Sequence, residues 1–491
     1  MLSASVAFAE IPQPVDQMEL MRRLDEDRLS CFNHAFEAGD EITEATYTMA
    51  RGVGARVAEG QYFTRLPRAD LADTGDWAQH EPQREGGPQA HSCISCHSVP
   101  LANGAGPLAM NVAIDPLHSG EPGQFLERNT LHLFGLGAVQ RIAEEMTQEL
   151  KAQEALVAEQ ACAKQEPVTL ALTAKGISFG DLTATPEAQG ESCTGQIDYE
   201  QLYGVADDLI IRAFGWKGTH ITLRSFARGA AHNEMGMQAV ELVGDADGDH
   251  DGVTGELSIG DLTAVTLYMA ALERPTSKLE LADLGLTELT DDERARIERG
   301  EARLAEAACT SCHVPSLELE KAVFSEPSAV PGFAEEELPS GADARALGLD
   351  PDRPLWFDLT KDQPNNRITL ASGEEVLLGA FAPSGEQGAT VTWYSDFRRH
   401  DMGPALADPV DAYGMGASVW PTRSLAGVGS TGPWLHHGHA TTLREAILAH
   451  GGEAEASKAA FAAMPEDQQQ ELIAFLENLV IENFDPEEED H

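Results

Sequence analysis

Apolar residues at helical spacing mark three segments in the second half of the chain. Thr290-Asp291-Asp292-Glu293 has the form of a capping box, and Ile297, Gly300, Leu304 and Ala308 follow it, predicting a helix that runs to Cys309. A glycine inside so good a helix costs stability, so Gly300 predicts the close approach of another helix. A second box, Thr442 to Glu445, opens a helix on which Leu443, Ala446, Ile447 and His450 share one face. In the third segment Pro465 takes the first turn, and Leu472, Phe475, Leu476, Leu479 and Val480 then fall on one side of a closing helix. Between these, residues 317–420 are rich in Pro, Gly and acidic side chains and read as irregular. In the first half, 168–172 and 177–179, separated by Gly176, read as short strands within a polar stretch. Pro275, Thr276 and Ser277 punctuate 273–284, a predicted linker between two halves.

Composition narrows the class. A chain of 491 residues, 42% hydrophobic, can bury a sizeable core and has room for two or three domains. The 81 Asp and Glu against 33 Lys and Arg give a net charge of −48, and only 8 of those cations are Lys. Such a field repels phosphates, which excludes nucleic acid and anionic membranes as partners. No stretch approaches the ~18 consecutive apolar residues of a membrane span, and the chain is too apolar for a disordered acidic tail. Ala7-Phe8-Ala9 has the small-residue pattern left by signal peptidase, so 1–9 reads as the remnant of a secretory signal.

Of seven cysteines, four occur in two copies of one motif, Cys93-Ile94-Ser95-Cys96-His97 and Cys309-Thr310-Ser311-Cys312-His313. Two thiols on one turn can add across the two vinyl groups of a haem, while the next residue carries an imidazole under the iron. Paired cysteines alone would also suit zinc or a thiol–disulfide centre, but neither explains a His directly after both pairs. The expected cofactors are therefore two covalent c-type haems, attached outside the cytoplasm, which places the protein in the periplasm or another extracytoplasmic space. There Cys162 and Cys193 are expected to form a disulfide, and Cys31 is left over.

The Gly300-x3-Leu304-x4-Cys309 run resembles the opening helix of a cytochrome c domain. The expected fold is mainly α: two cytochrome c-like haem domains with long irregular insertions and a small β element. The first domain is expected over 10–285, with an insertion at about 147–205, the second over 286–485, and an acidic tail over 486–491.

Two such motifs 216 residues apart resemble the bacterial di-haem cytochrome c peroxidase superfamily. Phe214-Gly215-Trp216-Lys217-Gly218 and His232-Asn233-Glu234-Met235-Gly236 are similar to its aromatic-Trp-x-Gly and Glu-Met-Gly segments. Thr431-Gly432-Pro433-Trp434-Leu435-His436-His437-Gly438, leading into Thr442-Leu443-Arg444-Glu445-Ala446, is similar to its second-domain stretch. Tyr394 to Gly403 and His450-Gly451-Gly452-Glu453 resemble the branch named di-haem oxidoreductase, putative peroxidase. His437 and His439 depart from the usual Asp and Arg, and the insertion has no counterpart.

The resemblance implies reduction of hydrogen peroxide with electrons from a small carrier. Electron transfer or redox sensing without turnover, and oxidation of a protein or organic substrate, are the alternatives. It makes Glu234 the distal acid–base residue and Trp216 the bridge between the haems. His97 and His313 become iron ligands, with His450 the distal ligand of the second haem and Met402 and His400 its rivals. His118 is the candidate at the first haem, with Met110 and His132 as alternatives. Asn129, Thr431 and Pro433 match positions that hold calcium between the domains. Asp247, Asp249 and Asp251 form the first half of an EF-hand-type loop whose twelfth position is Ser258, with Glu256 or Asp261 as substitutes and a solvated acidic turn as the plain alternative. The charge suits a basic cytochrome or cupredoxin as electron donor, and a homodimer stays open.

Overall fold

The computed structural model describes residues 12–53, 80–86, 88–190 and 192–482, so the expected signal remnant at 1–9 and the tail at 486–491 lie outside the described residues. In chain order the α-helices are α1 (Gln17–Glu26), α2 (Arg28–Glu44), α3 (Leu136–Lys164), α4 (Leu223–Ala230), α5 (Val240–Val243) and α6 (Ile259–Ala271). Then come α7 (Lys278–Asp283), α8 (Asp291–Glu306), α9 (Leu443–Ala449), α10 (Glu455–Ala463) and α11 (Glu466–Asn478).

Helix α6 is the hub of the first half. It is apolar on nearly all sides and almost wholly buried, as a helix with no polar face must be. Two glycines let its neighbours come in. A Cβ on Gly39 of α2 would sit 2.3 Å from Ala264 O, and one on Gly137 of α3 would sit 2.2 Å from Ala270 O. Helix α3 continues beyond this core and carries the insertion, an antiparallel sheet of Val168–Ala174, Ile177–Gln189 and Ser192–Asp198. Leu172, Phe179, Leu182 and Ala184 of the sheet are buried with Val157 and Ala161 of α3. Cys162 and Cys193 are disulfide-bonded, with a Cα–Cα distance of 5.7 Å, stapling the last strand to the helix. Cys31 is buried, and its thiol donates to Leu20 O at 3.2 Å.

Helices α8 and α11 cross where the glycine predicted it. A Cβ on Gly300 would lie 2.0 Å from Glu471 O and 2.8 Å from Phe475 Cβ. Because the obstacle is backbone, Gly300→Val is expected to cost roughly 3 kcal/mol, read as a lower urea midpoint. The capping box on Thr290 is present, but α8 stops at Glu306; Ala308 takes a left-handed φ of 57°, and Cys309–Ser311 form a separate 3₁₀ turn. Pro465 caps α11 rather than entering it. Leu479 and Val480 leave the helix as a strand paired with Thr276 and Ser277 of the linker.

The expectation of a mainly α fold is overturned: helices account for 36% and strands for 18% of the structure. Most of the additional strand lies in the segment read as irregular. Ser316–Leu319, Val323–Glu326, Leu355–Asp358, Arg367–Thr369, Glu375–Leu377, Ala382–Ser384, Gly388–Thr392, Arg399–Asp401 and Val419–Pro421 pair into two- and three-stranded antiparallel sheets. Each is three to five residues long. That is too short for a period of two to stand out among Pro and Gly, and pairing rather than propensity holds them. The β element is therefore not one small insertion. Two of these strands also close the core across residue 285, with Phe357 stacked on Phe32 of α2 at 4.7 Å and packed on Phe324.

Candidate active site

One cavity of about 470 Å³, within the range of sites that enclose organic ligands, runs between the two halves of the chain. Its lining is mainly apolar and includes His97, Trp216 and Glu234 from the first half and His313, His400, Met402 and His450 from the second.

Three of these imidazoles are held alike. The Nδ1 of His97 lies 3.2 Å from Gly104 O, that of His313 3.2 Å from Tyr394 O, and that of His450 2.8 Å from Ala446 O. With Nδ1 committed to backbone carbonyls, Nε2 of His313 and His450 is the nitrogen left to act on whatever enters the cavity, while His97 has Leu131 as a second backbone partner. This is how a protein orients a metal-ligating histidine. Burial pushes His97 and His313 down to about 4 and also lowers His450. All three are thereby kept as neutral imidazoles, the form that binds a metal. His450 is the C-cap of α9, the place its helix pattern gave it.

The rivals sit differently. His400 is clamped through both ring nitrogens, Nε2 at 3.0 Å from Asp396 and Nδ1 at 2.8 Å from Glu453. Burial opposes its charge, but Asp396, Cys312 and Glu453 raise it to about 10. Such an imidazole is a cation with no nitrogen to spare. His132 lines the cavity with Nε2 3.1 Å from Ala426 O. His118 and Met110 are not among the lining residues. The Nε2 of His118 lies 2.8 Å from Arg84 O, and Met110 is exposed.

Glu234 reaches the cavity through a local irregularity. Helix α4, capped by Thr222 and Ser225, widens into a π-turn over Ala231–Met235. Such a bulge turns a side chain away from the regular helix face and is common at functional sites. The Glu234 carbonyl accepts from Gln89 N at 2.7 Å and Ala90 N at 3.1 Å, tying the turn to the chain that leads into Cys93. Burial alone pushes the Glu234 carboxyl up to about 7. A carboxyl of that pKa exchanges protons readily near neutral pH.

Trp216 forms part of an aromatic wall between the halves. Its Nε1 donates to Asn129 O at 2.6 Å, and its ring meets Trp420 and His436 edge-on at 6.5 and 6.3 Å. Trp420 and His436 stack at 4.1 Å, and Lys217 Nζ lies 3.7 Å over Trp420. Arg423 donates to the carbonyls of Gly215 and Trp216, and burial lowers it to about 10. Sequence reasoning passed over Trp420 and Arg423, for which no motif or period gave a signal.

Of the expected calcium positions, Asn129 Nδ2 donates to Pro433 O, and Asn129 Oδ1 is buried with no hydrogen-bond partner among the described residues. The Thr431 hydroxyl is committed to Gly427 O at 3.1 Å. Asp247, Asp249 and Asp251 come together away from the cavity, each offering one oxygen within 4.8 Å of the other two. Asp261 is spent on the capping box of α6 and on Val15 N, so it does not complete that loop.

Residues 368–479 match the model of a family described as "Di-haem oxidoreductase, putative peroxidase". No curated protein matches the chain. Among solved structures, one similar chain is a MauG-like protein associated with microbial copper homeostasis, at 16% identity over 71% of this chain and 89% of that one, with a TM-score of 0.29. Another is a variant of the diheme peroxidase BthA from Burkholderia thailandensis, at 14% identity over 86% of this chain and 87% of that one, with a TM-score of 0.30. Likeness at these TM-scores is too slight to fix a fold or the role of a residue.

Proposed function

We propose, from the match of residues 368–479 to the model of the di-haem oxidoreductase, putative peroxidase, family, that the chain is a redox enzyme with two covalent c-type haems. Its reaction in this reading is the reduction of hydrogen peroxide by electrons from a small carrier. Cys93, Cys96 and His97 would hold one haem, and Cys309, Cys312 and His313 the other. His450 would be a further residue holding the second. The bound haems would supply iron that accepts and delivers single electrons.

The residues of the chain do the rest. Glu234 takes one proton from peroxide and returns it to the departing oxygen, so that one hydrogen peroxide, two electrons and two protons leave as two waters. The observation that carries this reading is a buried carboxyl, raised to about 7 and without a charged partner among the described residues, facing the same cavity as the neutral His97. Trp216, Trp420 and His436 supply a contiguous aromatic contact between the halves for electron transfer. Asn129, Pro433 and Thr431 would hold calcium beside it through oxygen donors. A disulfide between Cys162 and Cys193 supports an oxidising, extracytoplasmic setting. The charge of −48 supports a basic cytochrome or cupredoxin as donor. No described helix is long and apolar enough to cross a membrane.

The test is direct. The alkaline pyridine spectrum of the purified protein is expected to give two c-type haems per chain. The reduced, calcium-loaded protein is then expected to oxidise a basic ferrous cytochrome only when peroxide is added. Two haems without any peroxide-dependent oxidation would overturn the enzymatic reading and leave an electron carrier or sensor.

A further inference from the structure

The aspartate loop is built into the site through one buried arginine. Asp249 is fully buried and pairs through one oxygen with Arg84 Nη2 at 2.7 Å, both side chains being shielded from solvent. Its other oxygen is buried and has no hydrogen-bond partner among the described residues. An orphaned carboxylate oxygen in the interior costs free energy unless something positive or a donor meets it. The oxygens of Asp247 and Asp251 lie where such a group would be shared, one from each of the three aspartates within 4.8 Å of the other two.

The backbone already holds the loop in this arrangement. Asp247 accepts from Asp251 N at 3.1 Å and Gly252 N at 3.0 Å, and Asp251 accepts from Val253 N at 2.6 Å. Gly252 turns the chain at φ +88°, which side-chain-bearing residues adopt only with strain. Three carboxylates in alternation before a left-handed glycine are hard oxygen donors, suited to calcium.

Arg84 links this loop to the cavity. Besides Asp249 it donates to His232 O at 3.0 Å and to Gly236 O at 2.9 Å, the two carbonyls that flank Glu234 in the chain. The next residue, Glu85, donates its N–H to Asn233 Oδ1 at 2.8 Å. Arg84 thus grips the π-turn at both ends, and Asp249 grips Arg84.

We propose that Asp247, Asp249 and Asp251 bind a calcium ion, and that this ion, by fixing Asp249, makes Arg84 a positioning residue for the turn that carries Glu234. The coupling rests on the reading of Glu234 given above; the site itself does not. Glu256 is the further acidic group near Asp249 and Asp251, its Oε2 accepting from Gln238 N at 2.8 Å, whereas position twelve is Ser258 and Asp261 is otherwise engaged.

The test uses the full-length holoprotein, stripped with EGTA and titrated with calcium chloride by calorimetry. The double variant Asp247→Asn/Asp251→Asn keeps the Asp249–Arg84 pair and is expected to lose one bound calcium equivalent relative to the unsubstituted protein. Hydrogen exchange at 231–236 is expected to slow on calcium addition in the unsubstituted protein and to stay unchanged in the variant. Equal calcium stoichiometry in both proteins, or none in either, overturns the site. Calcium bound here without any change of exchange at 231–236 overturns the coupling. Should the double variant fold poorly, the single variant Asp247→Asn, which leaves Asp249, Arg84 and the residues around Asn129 in place, is expected to show the same loss of calcium-dependent slowing at 231–236, and slowing equal to the unsubstituted protein overturns the coupling. Normal calcium binding in a protein that never turns over peroxide would sink the peroxidase reading alone.

Discussion

Glu234→Gln is expected to lower peroxide turnover by about a hundred- to ten-thousand-fold, the usual contribution of a positioned acid–base group, with both haems still attached. The amide fills the same space and keeps the π-turn, so the loss isolates proton transfer. The pH profile carries the diagnostic detail. A base must be ionised, and burial holds this carboxyl up at about 7. Turnover of the unsubstituted protein should therefore climb as pH rises through that value and level off above it, whereas the variant's residual rate should lack the step.

Stability should move the other way. A carboxyl whose folded pKa is raised favours the folded state fully below its unfolded value of 4.5. It loses that contribution as pH rises toward about 7, where a buried charge must be accepted. Glu234→Gln should melt higher than the unsubstituted protein at pH 8, and the gap should narrow through that window and close below pH 4.5. A variant with unaltered turnover would remove Glu234 from the mechanism.

The largest expected loss of stability comes from Arg224→Ala, about 3–5 kcal/mol, the cost of breaking a buried ion pair from one side. Arg224 of α4 is buried and joins four elements. It donates to Glu241 of α5 at 2.7 Å, to Glu326 of the strand Val323–Glu326 at 2.8 Å, and to Thr263 Oγ1 and Ile259 O of α6 at 2.9 and 3.0 Å. Arg228 extends the cluster from Glu241 to Glu335. Without Arg224, Glu326 would be a buried carboxylate with no cation beside it; burial already raises it to about 7 against the pull of that arginine. Arg224→Lys should recover only part of the loss, because one ammonium cannot replace a planar fork serving both carboxylates. The control is Arg299→Ala. Its pair with Glu471 is half exposed and should be worth less than about 1 kcal/mol. Urea unfolding of the three variants would decide, and equal losses at Arg224 and Arg299 would contradict the argument.

What could be read before the structure was local and strongly patterned. The two C-x-x-C-H segments, the capping boxes on Thr290 and Thr442, the crossing glycine at 300 and the pairing of Cys162 with Cys193 all follow from chemistry that spans a few residues or counts a scarce residue type. Leu479 and Val480 show the limit. Their spacing continues the helix, yet pairing with Thr276 and Ser277 takes them out of it, a choice made by distant chain. The strands between 316 and 421 failed for the same reason, since three residues hold no period. Arg84 and Trp420 were invisible in a different way. An arginine in a sequence is a surface cation by default, and only burial against His232 O, Gly236 O and Asp249 gives it another meaning. His118 drew attention through its place in the chain, while its ring nitrogen is committed to Arg84 O.

The arginines inside the fold also change the character of its outside. Arg84, Arg128, Arg141, Arg224 and Arg228 are buried against carboxylates, and Lys217 is buried beside Asp408. Each pair leaves the net charge untouched but withdraws a cation from a surface that had few to begin with. The acidic groups outside therefore meet fewer opposite charges than the composition suggests, and dissolved cations must take the vacant role. The native particle travels with a cloud of small ions whose density follows the surrounding salt. Diluting the medium thins that cloud and sharpens repulsion across the exterior, while the dry pairs within stay indifferent.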